Sequence, residues 1–128
     1  MPKYESCFKK AFLQLERQKT AILVHAIITN PSGKRIVHAW LEYKNGLGQE
    51  CVYDAVTGDV IGRSRWYEGY KPENPLRYNH PMARILANES DMYGPWDREN
   101  LEYMKKQGII AISTSPQMEA FKKSVMKK

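Results

Sequence analysis

The sequence predicts an α+β domain in which an N-terminal helix packs on an antiparallel sheet. Three observations predict it: an apolar stripe at helical spacing near the N-terminus, three strand-like runs close behind it, and turn-forming residues between those runs. The 128 residues suffice for one core but not for two, so a single domain over 1–128 is expected.

Residues 5–19 read as the first helix. Phe8, Ala11, Phe12 and Leu15 recur at i, i+3, i+4 and i+7 and make one apolar face. Ser6 is the expected N-cap. That puts Cys7 in the first turn, where backbone N–H groups lack helical acceptors. Three strands are expected next: Ala21–Thr29, Ile36–Lys44 and Glu50–Thr57. They end at Asn30-Pro31-Ser32-Gly33, Asn45-Gly46-Leu47-Gly48 and Gly58-Asp59, all clusters of turn formers. Gaps this short favour an antiparallel meander over βαβ units.

Residues 62–96 read as the least regular part, punctuated by Gly62, Gly69, Pro72, Pro75, Pro81, Gly94 and Pro95. They hold Trp66, Tyr67, Tyr70, Tyr78, Tyr93 and Trp96, and a short helix from Pro81 to about Asn88 is expected within them. A helix over about Asp97–Gln107 follows, with Asp97 as N-cap and Gly108 as its stop. Ile109–Ser113 then reads as a strand, and Ser115-Pro116 as the start of a terminal helix carrying Met118, Phe121 and Val125 on one face.

Composition narrows the function classes. Hydrophobic residues at 42% with charged residues at 27% indicate a globular chain. No apolar run nears the ~18 residues a membrane span needs, and the N-terminus lacks an apolar signal region, so a cytoplasmic protein without membrane contact is expected. Cys7 and Cys51 show no CxxC spacing and read as free thiols. The histidines (His25, His38, His80) form no ligand cluster, so neither a metal nor a cofactor is expected. The net charge of +6 suits nucleic acid or an acidic partner, but a solvated basic face is the favoured reading.

The chemistry rests on Cys7, His38 and Asp54. A turn centred on Gly46 would set His38 opposite Asp54 and Trp40 opposite Val52, with Cβ atoms of a pair about 5 Å apart. Any even shift of register keeps His38 and Asp54 on one face, whereas a one-residue slip separates them. A carboxylate beside an imidazole selects its tautomer and stabilises the imidazolium. A cysteine at a helix start gains thiolate character from the dipole and from a neighbouring imidazolium. Cys51 alternates away from Asp54 and reads as structural. His25 has no carboxylate partner in sight, and His80 reads as a cap or turn residue.

Tyr4-Glu5-Ser6-Cys7-Phe8-Lys9-Lys10-Ala11, then His38-Ala39-Trp40-Leu41-Glu42, then Val52-Tyr53-Asp54 resembles the transglutaminase-like branch of the papain-like cysteine enzymes. Small bacterial and phage proteins share this Cys…His…Asp order. The resemblance covers about residues 4–58, with Ala55 where the branch often carries proline. It implies a papain-like/transglutaminase-like fold and a Cys7–His38–Asp54 triad. The implied activity is a cysteine hydrolase (peptidase, amidase or isopeptidase) working through a thioester acyl-enzyme, or an acyltransferase with the same triad. Peptide, amide or thioester substrates follow, including protein substrates. Papain-like proteases often place a side-chain oxyanion donor before the nucleophile. With Met1 to Ser6 ahead of Cys7, backbone groups or a later donor such as Asn30, Gln49 or Tyr67 are expected instead.

The aromatics of 62–96 read as one wall of a substrate cleft, with Trp66, Tyr67 and Tyr70 first along the path from Asp54. Filling a second small core is the competing reading. Trp40 is read both as core and as an indole beside the ion pair. The rival function is a non-catalytic protein holding nucleic acid or a protein, with these aromatics interleaved with Arg63, Arg65, Arg77 and Arg84.

Overall fold

The computed structural model describes residues 3–106, with side chains from Cys7 onward. Helix α1 (Lys3–Arg17) comes first, then strands β1 (Ile22–Thr29), β2 (Arg35–Lys44), β3 (Glu50–Asp54) and β4 (Asp59–Gly62). Helix α2 (Arg63–Tyr70), strand β5 (Glu73–Tyr78) and helices α3 (His80–Ser90) and α4 (Arg98–Lys106) follow. The strands form one antiparallel sheet in the order β4-β3-β2-β1-β5. Its first four members are the meander that the short turns demand, and β5 returns to the free side of β1. The two elements expected beyond Gly108 lie outside the described residues.

Strand periodicity builds two cores on the two faces of this sheet. Odd-numbered Leu23, Ile27, Val37, Ala39 and Leu41 pack with Cys7, Phe8, Ala11, Phe12 and Leu15 of α1, and with Ala83, Ala87 and Met104 from α3 and α4. Even-numbered Val24, Ala26, Ile28, Trp40 and Val52 pack under Trp66 of α2. β1 is therefore apolar on both faces, which explains its nearly unbroken hydrophobic sequence.

Several boundaries differ from expectation for local reasons. α1 begins at Lys3, so Cys7 is its fifth residue rather than a first-turn residue. By α-helical geometry the Cys7 N–H then donates to the Lys3 carbonyl, and it is not a free donor. Glu50–Thr57 is not one strand: β3 stops at Asp54, and a turn closed by Gly58 N–H to the Asp54 carbonyl (2.7 Å) leads into β4. The stretch read as irregular holds α2, β5 and α3. Its breakers lie at element ends or on an edge strand: Gly62 precedes α2, Pro75 sits in edge strand β5, and Pro81 is in the first turn of α3. Asn79 caps α3 by accepting the Met82 N–H (2.9 Å), and Asp97 accepts the Asn100 N–H (2.9 Å) at the start of α4.

The β2–β3 loop is centred on Leu47, not Gly46. Asn45 Oδ1 accepts the N–H groups of Leu47 (2.9 Å) and Gln49 (3.0 Å), and Gly48 takes a φ of 77°. Moving the centre by one residue moves every partner by two. Glu42, not Trp40, faces Val52, while Lys44 faces Glu50. The shift is even, so His38, Trp40, Glu42, Val52 and Asp54 still share a face.

Candidate active site

β2 carries His38 and β3 ends on Asp54, and the shifted register makes them diagonal rather than direct neighbours. The gap is bridged: His38 Nε2 lies 3.1 Å from Asp54 Oδ2. The second carboxylate oxygen is fixed by the turn behind it, where the Val56 N–H donates to Oδ1 (2.9 Å). With Nε2 committed to Asp54, Nδ1 is the ring nitrogen left for Cys7. The Cys7 side chain acts on the same ring and is among the causes that raise its pKa. β2 and β3 thus bring His38 and Asp54 into contact, and α1 places Cys7 near enough for its charge to act on the same ring.

Electrostatics follow from this packing. Burial by itself disfavours a charged His38 imidazole. It is outweighed by the charge of an ionised Cys7, by hydrogen bonds to Asp54 and Cys7 and by the Asp54 charge, so the pKa rises from 6.5 to about 10. Burial would likewise raise the Asp54 carboxyl, but the hydrogen bond to His38, its charge and the Val56 and Thr57 N–H groups hold it below its ordinary value. The Asp54 carboxylate and the Cys7 side chain together favour the protonated form of His38.

Trp40 and Trp66 flank the imidazole. Their rings lie 6.3 and 6.5 Å from it at shallow angles of 22° and 18°, and 4.3 Å from each other. At 0% and 2% exposure they have no face open to a substrate, so they serve as core and as an apolar slab beside His38 rather than as cleft lining. Tyr70 extends this stack, 4.7 Å from Trp66. Cys7, at 2% exposure, lies beneath the surface as well.

Tyr67 does something the sequence reading missed. Its hydroxyl donates to Glu42, and Arg77 Nη2 donates to the same hydroxyl (2.8 Å). Glu42 also accepts from Trp40 Nε1 (3.1 Å) and Arg77 Nε (3.2 Å), with Arg63 Nε 3.6 Å away. Glu42 is the buried hub that ties α2 to strands β2 and β5 of the sheet. The available signal was parity: Glu42 shares the face of His38 and Trp40 two residues further on, where an unpaired carboxylate is costly. Tyr67→Ala is accordingly expected to cost about 3 kcal/mol of stability, and Tyr67→Phe about 1–2 kcal/mol. Urea unfolding of both variants checks this, and an unchanged midpoint for Tyr67→Ala contradicts it.

The other side chains considered in the sequence lie elsewhere. Asn30 Oδ1 accepts from Ser32 N, Ser32 Oγ and Lys34 N, and Gln49 Oε1 accepts from Asn45 Nδ2, so both organise their own turns. Cys51 is buried with Sγ 3.6 Å from the Gln49 carbonyl. His80 opens α3 and places Nε2 2.5 Å from Glu16 Oε2 of α1. His25 is fully buried among Phe8, Tyr78 and Trp96, and neither ring nitrogen has a partner among the described residues. Among the described residues, no three His, Cys, Asp or Glu side chains converge as a metal-binding group, and no helix is long and apolar enough to cross a membrane. Comparison with protein-family models, with curated proteins and with solved structures yields no match.

Proposed function

We propose that the chain is a papain-like cysteine hydrolase acting on a peptide, amide or isopeptide bond through Cys7, His38 and Asp54. One observation carries this reading: His38 is bonded to Asp54 and influenced by Cys7, in surroundings that favour its charged form. The order helix–Cys, strand–His, strand–Asp on an antiparallel sheet supports it further.

In the proposed reaction the Cys7 thiolate attacks the carbonyl carbon, a C–S bond forms and the oxygen takes the negative charge. The His38 imidazolium gives its proton to the leaving nitrogen as the C–N bond breaks, leaving a thioester. Water then attacks while neutral His38 takes its proton. The C–S bond breaks, and thiolate and imidazolium are restored. Asp54 holds the ring and stabilises its charge throughout. An amine in place of water gives acyl transfer by the same steps, and hydroxylamine trapping of an acyl product separates the two outcomes.

The test is competitive labelling. At pH 7, iodoacetamide is expected to modify Cys7 at least about tenfold faster than Cys51, and His38→Gln is expected to remove that advantage. Peptide mass spectrometry reads both sites in one digest. Equal rates in the native protein, or an advantage that survives His38→Gln, would sink the proposal.

A further inference from the structure

β2 runs from the neighbourhood of Asp54 to an end of different character. Six positions at about 3.3 Å each put Lys44 roughly 20 Å from His38 along the strand. Around Lys44 the α1–β1 connection, the β2–β3 loop and the start of α2 meet, and three adjoining concavities open there. Thr20, Tyr43, Lys44, Glu50 and Arg63 are each shared between two or more of them. Their walls carry Arg17, Lys19, Lys44, Arg63, Arg65 and Arg77 against two carboxylates, Glu42 and Glu50.

The pairing of these charges matters more than their number. Arg77 is held by Glu42 (3.2 Å), and Arg63 by Glu50 (3.2 Å) and Glu42 (3.6 Å), so the carboxylates are consumed in fixing two guanidinium groups. Arg17, Lys19, Lys44 and Arg65 are exposed and have no carboxylate partner among the described residues. Like charges converging on one concave surface repel one another. An anion that enters the concavity relieves that repulsion.

We propose that this end of the sheet is a second site, a basic trough that binds the phosphodiester backbone of a nucleic acid. The charges are spread over three adjoining concavities that share Lys44, a surface wider than one pocket and suited to several phosphates of one backbone. Apolar lining comes from Ala21, Ile22, Tyr43 and Cys51, and the trough lies at strand ends rather than along a free strand edge. A free β-edge, a common peptide-docking feature, is thus missing from it. Tyr43 is the aromatic among the lining residues and is half-buried, so contact is chiefly to the backbone and little affected by base sequence. The site is separate from Cys7 and does not depend on its chemistry.

The full chain is titrated into a fluorescein-labelled 20-nucleotide thymidine strand and into a 20-base-pair duplex, by anisotropy, at several salt concentrations. Binding of either is expected to weaken with salt, and the arms show whether a single strand or a duplex fits the trough. The triple variant Lys19→Ser/Lys44→Ser/Arg65→Ser is expected to bind at least about tenfold more weakly, with the salt slope reduced by about 2. These side chains are exposed and without carboxylate partners, so the fold is not at stake, and an unchanged Tm verifies that. Lys10→Ser/Lys34→Ser/Lys105→Ser removes the same charge elsewhere and is expected to stay within about twofold of the parent. Cys7→Ala is expected to bind as the parent does, so failure of the thiol chemistry and failure of this site are distinguishable. The proposal is overturned by no measurable binding, by equal losses in the two triple variants, or by a poly-glutamate peptide that binds more tightly than either oligonucleotide.

Discussion

Asp54→Asn is expected to slow Cys7-dependent turnover of an activated ester by about 10²–10⁴-fold while the Tm moves by only a few degrees. The asymmetry comes from what each Asp54 oxygen does. An Asn carbonyl at the Oδ1 position still accepts the Val56 N–H, so the turn after β3 survives. At the Oδ2 position an amide faces His38 Nε2 with no charge, and an NH₂ there selects the tautomer protonated on Nδ1, against the Cys7 side. The sign of the accompanying pH effect is set by the same bond. Asp54 is one of the groups raising the His38 pKa to about 10, so its loss lowers that pKa. The imidazolium then gives up its proton at lower pH, and the alkaline edge of the rate profile is expected to move down by about one unit or more. A profile with an unmoved alkaline edge, or a loss of folding as large as the loss of rate, makes Asp54 a structural residue instead.

Much of this site was legible because its signals are local or depend only on parity. The stripe of Phe8, Ala11, Phe12 and Leu15 identifies α1 whatever its first residue is. His38 and Asp54 share a face in every even register, so placing the loop centre on Gly46 instead of Leu47 changed the partners without separating the pair. What was not legible depends on non-local packing. The first turn of α1 extends to Lys3, past the Ser6 cap that local preference favours, and this moves Cys7 off the helix start. Glycine and proline density disguised α2, β5 and α3 as one irregular stretch, because those residues mark boundaries and say little about what lies between them. The burial of Trp66 was legible only as an alternative. An aromatic just after a strand suits a cleft or a core equally, and the decision comes from Trp40 beneath it, 4.3 Å away. The Glu42 hub joins residues 42, 63, 67 and 77 from the three elements β2, α2 and β5, and no spacing in the sequence announces such a junction.

Replacing His25 by Leu is expected to remove much of the acid sensitivity of the fold, with a difference of about 3 kcal/mol at pH 4 and about 4 kcal/mol near pH 3. His25 is wholly enclosed: Phe8 meets its ring edge-on at 4.8 Å, and Tyr78 and Trp96 lie 5.2 and 5.0 Å away. Gly94 closes the cage so tightly that a Cβ there would lie 2.5 Å from His25 Cε1. Burial first, and the nearby His38 charge second, push the His25 pKa from 6.5 down to about 3. In the unfolded chain the same imidazole titrates near its ordinary value. Between those two values the unfolded state binds a proton that the folded state refuses, so stability falls as pH falls from 6.5 towards 3. Above 6.5 both states are neutral at this residue and its contribution is constant. Asp54 adds its own loss in acid, which is why the comparison must be a difference between parent and variant at each pH. Leu fills much of the volume, carries no titrating group and leaves no unpaired ring nitrogen in the cage. Urea unfolding at intervals from pH 7 to pH 3 gives the two curves. They are expected to run parallel above pH 6.5 and to diverge below it, with the variant the more stable relative to its own neutral-pH value. Curves that stay parallel throughout would show that His25 takes up its proton in the folded state at no cost, and the closed cage would then be the wrong description.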